Sequence, residues 1–462
     1  MSPFVSASVF RLVRRFVGCA GLGLASGASL WAVESADLII VNGQIVTMNV
    51  QREIIDRGVV VIKGAKIVAI GHAELAANFS ATKTIDAAGG IVMPGMINTH
   101  THAAMSVFRG LGDDVGDRLR KFIWPLEAKV VDADLVYWGA LHGMVEMIEG
   151  GVTTLVDSYP FAESTTRAAQ EIGIRAFIAY GVKDDLEPFR RYAKSVQDDP
   201  LITAVVGLHS PYANTAAQIR EAAKLSAELN LPATMHVAEM DYELKELREK
   251  YNQTPIEYLD SLGLLSPRFI AAHCIFLTDS DIALLAKRDV GVAHNMVANI
   301  KSAKGVAPVL KLRAAGVRVG LGTDGAMSGN TLDIIGQLGY VAKLHKLDNK
   351  DRTVMPATDV VEMATLGGAR ALHREDRIGS LEVGKLADVI IVDTNSTSMV
   401  PLYDVSTALV YAASPRDVRT TIINGRVIME DRKIQTVDIS LIREKVRAIA
   451  RKCEAVVAQG LN

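Results

Sequence analysis

From about residue 94 to about residue 375 the chain repeats one pattern: a short, mostly apolar run, then polar residues, then a stretch whose hydrophobic positions recur at helical spacing. The apolar runs are "GGIVMPGMINTHTH", "GVTTLVD", "IRAFIAYG", "ITAVVGLHS", "LPATMHVAE", "RFIAAHC", "VGVAHN" and "VRVGLGTDG". Short apolar runs bounded by Gly and polar residues read as buried strands. Strands alternating with helices imply a parallel sheet, and eight such units predict a TIM barrel.

The flanking blocks have a different rhythm. Residues 37–93 contain "LIIVNGQIVTM" and "VVVIKGAKIVAIG", and residues 376–435 contain "ADVIIVD" and "TTIINGRVIMED". These read as hairpins, with Asn42-Gly43 and Asn424-Gly425 as tight-turn pairs. Either block alone would form a marginal sheet, so together they predict one small β-sandwich domain assembled from both chain ends. In residues 436–462, Ile442, Val446, Ile449, Cys453 and Val456 fall at helical spacing, which predicts an amphipathic helix docked on the body. The expected class is α/β: a (β/α)8 barrel over residues 94–375, with a small sheet domain from 37–93 and 376–435.

Residues 1–36 stand apart. Arg11, Arg14 and Arg15 precede "FVGCAGLGLASGASLWA", a positive region followed by a short apolar one that ends in small residues. That arrangement predicts an export signal and a periplasmic or secreted product, with a cytoplasmic enzyme as the alternative. Interrupted by four glycines, the stretch is a poor membrane span. A net charge of −2 with interleaved signs gives no basic stripe for nucleic acid. The three cysteines, Cys19, Cys274 and Cys453, form no CxxC pair, which excludes a zinc finger and a redox dithiol. The expected partner is a small molecule, with a homo-oligomer left open.

The candidate chemistry lies where the predicted strands end. The first ends in His100 and His102, the fourth in His209, the fifth in His236 followed by Glu239, the sixth in His273, the seventh in His294 and the eighth in Asp324. Residues i and i+2 of a strand share a side, so His100 and His102 aim at one point. The C-terminal rim of a TIM barrel is where active sites are built. Taken alone, His294 is better read as a packed histidine. Two histidines, a third from the fifth strand and an aspartate from the eighth make an N3O set suited to Zn²⁺ or another borderline metal such as Fe²⁺. No lysine occurs in "LITAVVGLHSPY", where a two-metal version would carry a bridging one, so one ion per chain is expected.

The segments "PGMINTHTHAAM", "MHVAEMD", "AAHC" and "LGTDGAMSGNTLDI" resemble the amidohydrolase superfamily, and within it the 5′-methylthioadenosine/S-adenosylhomocysteine deaminases and the related triazine chlorohydrolases. The resemblance runs from about Asp37 to about Lys433. It implies that His100, His102, His236 and Asp324 are metal ligands, that Glu239 is the acid of an HxxE motif, and that His273 contacts the attacking water. It further implies that Glu127 in "FIWPLEAK" accepts from ribose hydroxyls, with Trp124 as an apolar wall, and that His209 contacts the ligand.

The expected reaction is hydrolytic deamination of an adenosine-type nucleoside or a related N-heterocycle. Bound metal lowers the pKa of water towards about 7; Asp324 takes its proton, and Glu239 protonates the ring nitrogen beside the attacked carbon. Other readings are a triazine or other N-heterocycle chlorohydrolase, a cyclic amidohydrolase, or an inactive secreted binding protein. The family's deaminases often carry an Arg at the end of strand three, where this chain has Tyr180. Arg190 and Arg191 are candidates to replace that cation, against the simpler reading of a solvated helix face.

Overall fold

The computed structural model describes residues 33–461. Residues 1–32 of the expected export signal lie outside the described residues, and Glu34–Ala36, also assigned to it, open a strand instead. The main sheet is parallel and runs in sequence order through β1 (Met96–His102), β2 (Val152–Ser158), β3 (Arg175–Gly181), β4 (Ile202–Gly207), β5 (Ala233–Val237), β6 (Phe269–His273), β7 (Gly291–His294) and β8 (Arg318–Leu321). Just beyond β8, Asp324 and Gly325 pair with Thr101 and His102 of β1. The ring therefore closes as a TIM barrel. Nearly every strand residue is buried, as expected for parallel strands covered on both faces.

Alternate strand residues have different neighbours. Val156, Phe177, Val205, Ile270, Ala272 and Ala293 pack together inside the barrel. Leu155, Ile178, Met235, Ala271, Val292 and Val319 belong to the layer between strands and helices. Caps define where the helices begin. Thr215, Thr254 and Thr278 each accept from the backbone N–H three residues on, in reciprocal capping boxes before Ala216–Leu229, Pro255–Ser261 and Asp279–Lys287.

The chain ends meet in a second sheet of nine strands. Ile91–Pro94 pairs with Val389–Val392 on one side and with Glu34–Val46 on the other, which joins the two terminal blocks. "GGIVMPGMINTHTH" is therefore two strands in two sheets. Pro94 offers no N–H, and a Cβ on Gly95 would lie 2.1 Å from the Thr153 side chain, so the chain crosses between sheets there. Asn424-Gly425 does form the tight turn, with Ile423 paired to Arg426. Asn42-Gly43 does not: it is an irregularity inside the single strand Glu34–Val46, paired with Ile54–Lys63. A side chain at Gly43 would lie 2.3 Å from Val92, so the glycine serves the close approach of the neighbouring strand. The C-terminal helix spans Ile439–Gln459 and buries Ile442, Ile449 and Cys453 against the helices Ala133–Glu149 and Trp124–Val130. Among the described residues no helix is long and apolar enough to cross a membrane, and Cys274 and Cys453 are unpaired.

One buried ion pair ties barrel to sheet. At the start of β3, Arg175 Nε and an Nη hold both oxygens of Asp388 at 2.9 and 3.1 Å, and Asn424 N–H donates to the same carboxylate at 2.7 Å. Removing one partner of such a pair strands the other charge, a cost of about 3–5 kcal/mol. Asp388→Ala should lower the free energy of unfolding by that amount, seen as a lower denaturant midpoint, with kcat per folded molecule unchanged; an unaltered midpoint would deny the pair its structural role.

Candidate active site

The rim at the C-terminal ends of the strands holds a cluster of ring nitrogens and one carboxylate. His102 Nε2 lies 3.2 Å from Asp324 Oδ1 and 3.3 Å from His236 Nε2, and His100 Nε2 lies 3.9 Å from Asp324 Oδ1. The far side of two rings sets their tautomers. His102 Nδ1 donates to the Ser158 carbonyl at 2.5 Å, and His236 Nδ1 donates to the His209 carbonyl at 2.7 Å. Each Nε2 is thereby left with its lone pair directed into the cluster. Two lone pairs facing each other at 3.3 Å beside a carboxylate repel unless positive charge, a proton or a metal ion, lies between them.

The electrostatics of the groups agree. Burial resists charge on His102, but Asp324 outweighs it and raises that imidazole to about 9. Burial, with His236 and His102 adding to it, holds His100 well below the ordinary imidazole value. Burial and then His209 lower His236 to about 3. Burial alone would raise Asp324, yet His102, His273 and His100 hold it well below the carboxylate range.

His100 is buried and neither of its ring nitrogens has a hydrogen-bond partner, an arrangement that costs free energy unless something else satisfies it. Donor atoms of His100, His102 and Asp324 lie within 4.8 Å of one another, as do those of His100, His236 and His273. Ligands about 2.1 Å from a tetrahedral ion sit about 3.4 Å apart, close to the separations found here. The residues fit a divalent metal.

The backbone is bent to deliver these groups. Ile270 and Ala272 face the barrel interior, so strict alternation would turn His273 outwards; left-handed backbone at His273 (φ 74°) and Cys274 (φ 52°) breaks it. Asp324 (φ 60°) and Ala238 (φ 51°), between His236 and Glu239, adopt the same unusual conformation, of the kind that persists where the surroundings enforce it. At β7 the alternation is kept. Ala293 faces inwards, so His294 faces the helices and meets His345 Nε2 at 3.2 Å. It is a packed histidine, outside the cluster.

Glu239 follows His236 by three residues. Its Oε1 lies 2.5 Å from Lys304 Nζ and 3.7 Å from His273 Nε2. Burial would raise this carboxyl, but His273 and Lys304 lower it to about 2, so it rests ionised. It does not cap the following helix, Asp241–Tyr251. Glu243, fully buried, instead accepts from the N–H groups of Ala238 and Glu239 at 2.9 and 3.1 Å. His273 Nδ1 donates to Asn299 Oδ1 at 2.8 Å, which leaves Nε2 free towards the pocket.

The cluster opens into a cavity of about 1280 Å³, also lined by Trp124, Glu127, His209 and Ser328. The rings of Trp124 and His209 meet edge to face at 5.9 Å. Tyr159 donates to Glu127 Oε1 at 2.5 Å, and burial raises the Glu127 carboxyl. The structure thus brings His102, Trp124, Glu127, His209, His236, Glu239 and Asp324 to one cavity, with His100 and His273 beside them in the cluster. Tyr180 and Lys183 also line the cavity. Arg190 is no substitute cation, because Glu228 holds its guanidinium through two bonds of 2.7 and 2.8 Å on the helix surface. Sequence reasoning passed over Lys304, Glu243, Asn299 and Asp157. Asp157 ends β2 and accepts from Ala103 N–H at 2.6 Å, so the strand-end rule that found the histidines applied to it as well.

The Amidohydrolase family model matches residues 91–428. A 5-methylthioadenosine/S-adenosylhomocysteine deaminase of Syntrophobacter fumaroxidans is 42% identical over 430 residues, covering 90% of this chain and 98% of that one. A 5'-deoxyadenosine deaminase of Methanosarcina barkeri is 39% identical over 433 residues, at 90% and 98% coverage. Among solved structures, an adenosine deaminase from Xanthomonas campestris with bound zinc superposes with a TM-score of 0.89 at 32% identity, covering 92% of this chain and all of that one. The buried histidine–aspartate rim of a closed parallel barrel and these matches agree: the chain belongs to the amidohydrolase family and is a hydrolase acting on carbon–nitrogen bonds.

Proposed function

We propose that this chain is a metal-dependent deaminase of adenosine-type nucleosides, acting on 5′-methylthioadenosine, 5′-deoxyadenosine or a close relative. One observation carries the reading: a single cavity is lined at once by the histidine–aspartate cluster, by the ionised Glu239 and by the Trp124–Glu127–His209 wall. The cluster suits attack of water on a ring carbon, Glu239 suits proton delivery to a ring nitrogen, and the wall suits an apolar base with a ribose diol. Ligand cavities commonly measure about 300–1,000 Å³, so this one has room for a substituent beyond the nucleoside. The relatives' names point the same way.

The metal set is His100, His102, His236 and Asp324, one ion per chain, with zinc first among the candidates and ferrous iron as the alternative. When bound, the metal supplies acidity to water at neutral pH. Asp324, the carboxylate of the cluster, faces the attacking water and accepts its second proton. His273, with Nδ1 held by Asn299, presents Nε2 to orient that water and to steady charge developing on its oxygen. Glu239 rests as a carboxylate, so the water's first proton passes to it and on to N1 of the adenine ring as oxygen adds to C6. Asp324 takes the second proton, from the hydroxyl now on C6, and passes it to the exocyclic amine, which leaves as ammonia and gives the carbonyl product. Glu127 holds the ribose hydroxyls while Trp124 and His209 flank the base.

Zinc-loaded enzyme should release one ammonia per molecule of 5′-methylthioadenosine or 5′-deoxyadenosine, lose that activity to a chelator and regain it with zinc. Chloride release from a chlorotriazine, with no ammonia from any adenosine-type nucleoside, would overturn the reading. Glu239→Gln should retain metal and bind substrate nearly as well, while kcat falls by about 10³-fold, within the usual range for acid–base help. Near-wild-type kcat in that variant would remove Glu239 from the reaction.

A further inference from the structure

Glu239 is the proton carrier of the proposed reaction, and it lies in the turn between β5 and the helix Asp241–Tyr251. Among the described residues, its side-chain hydrogen bond comes from Lys304, at 2.5 Å to Oε1. No donor among the described residues meets Oε2. Lys304 lies in the turn after the helix Met296–Lys301, and its ammonium is mostly enclosed, with 18% of the side chain exposed. Glu239 is its only ion-pair partner among the described residues.

The turn is built to send this lysine inwards. Lys304 N–H donates to the Asn299 carbonyl at 2.9 Å, and Asn299 Oδ1 holds His273 Nδ1 at 2.8 Å. One buried residue therefore sets both groups that flank Glu239 Oε1. Ala303 (φ 53°) and Gly305 (φ 119°) on either side adopt left-handed backbone, which turns residue 304 towards the cavity. Lys301, three residues earlier, lines the same cavity but is held by Asp113, 2.8 Å from its Nζ.

We propose that Lys304 is a positioning residue for Glu239: it fixes Oε1 and so leaves Oε2 as the oxygen that meets the ring nitrogen. This rests on the deaminase reading above. The terminal torsion of a glutamate is broad and nearly two-fold, so an unheld carboxylate presents either oxygen at many angles. Proton transfer needs a donor–acceptor distance of about 2.6–3.2 Å, and a misplacement of 1 Å can cost about a hundredfold in rate. Gripping one oxygen removes that freedom without touching the substrate.

The test is steady-state kinetics of the zinc-loaded full chain on whichever adenosine-type nucleoside the wild type turns over fastest. Lys304→Met should lower kcat about ten- to a hundredfold with KM within about threefold, and Lys304→Arg should recover most of the loss. In a Glu239→Gln background, Lys304→Met should cost nothing more, because the group it positions is already disabled. Melting curves check folding, and Lys304→Gln takes the place of Lys304→Met if that variant does not fold. Wild-type kcat in the variant, or the same loss in both backgrounds, would overturn the role while leaving the deaminase reading intact. A wild type that releases no ammonia from any such nucleoside would overturn both.

Discussion

Two imidazole lone pairs are held 3.3 Å apart, beside a buried carboxylate, by carbonyl groups on the far sides of the rings. That constraint organises the site. The arrangement is unfavourable in itself, and a cation at its centre converts each repulsion into a bond. The rest of the rim maintains it: left-handed backbone at Ala238, His273 and Asp324, a buried Glu243 pinning the turn after His236, and ring closure through Asp324 and Gly325 against β1. Strain of this kind persists when a rigid scaffold over-determines it.

The scaffold supplies that rigidity from two directions. Inside the barrel, aliphatic side chains and Phe177 fill the lumen below the rim, so the strand ends cannot collapse inwards. Below, the sheet made from both chain ends is joined to β3 by the Arg175–Asp388 pair. The C-terminal helix adds a further buttress, because it packs on Trp124–Val130, the helix that carries Trp124 and Glu127. A helix read from sequence as a passive dock thus supports the wall of the cavity.

Much of this was legible in the sequence because it follows from short-range rules. Apolar runs alternating with helical periods gave the eight strands, and the i, i+2 spacing of His100 and His102 survived into the structure. Period two also explains His294, which follows an inward-facing alanine and so faces the helices. What escaped depends on exceptions or on long range. His273 reaches the site only because the alternation breaks at a positive φ. Asn42-Gly43 looked like a turn, but a strand nearly fifty residues away needs the space that glycine leaves. Lys304 and Asn299, which follow β7, act on residues of the neighbouring β6 and of the turn after β5, and no local pattern marks a lysine in a turn as the partner of a glutamate 65 residues away.

The proposed site holds one cation between three imidazoles and one carboxylate, and zinc K-edge X-ray absorption with metal analysis tests it most directly. The prediction is one zinc per chain, a single shell of nitrogen and oxygen neighbours at about 2.0–2.1 Å with imidazole scattering, and loss of that signature in His236→Ala. A sulfur shell, a second metal scatterer at about 3.5–4 Å, or an unchanged spectrum in His236→Ala would contradict it.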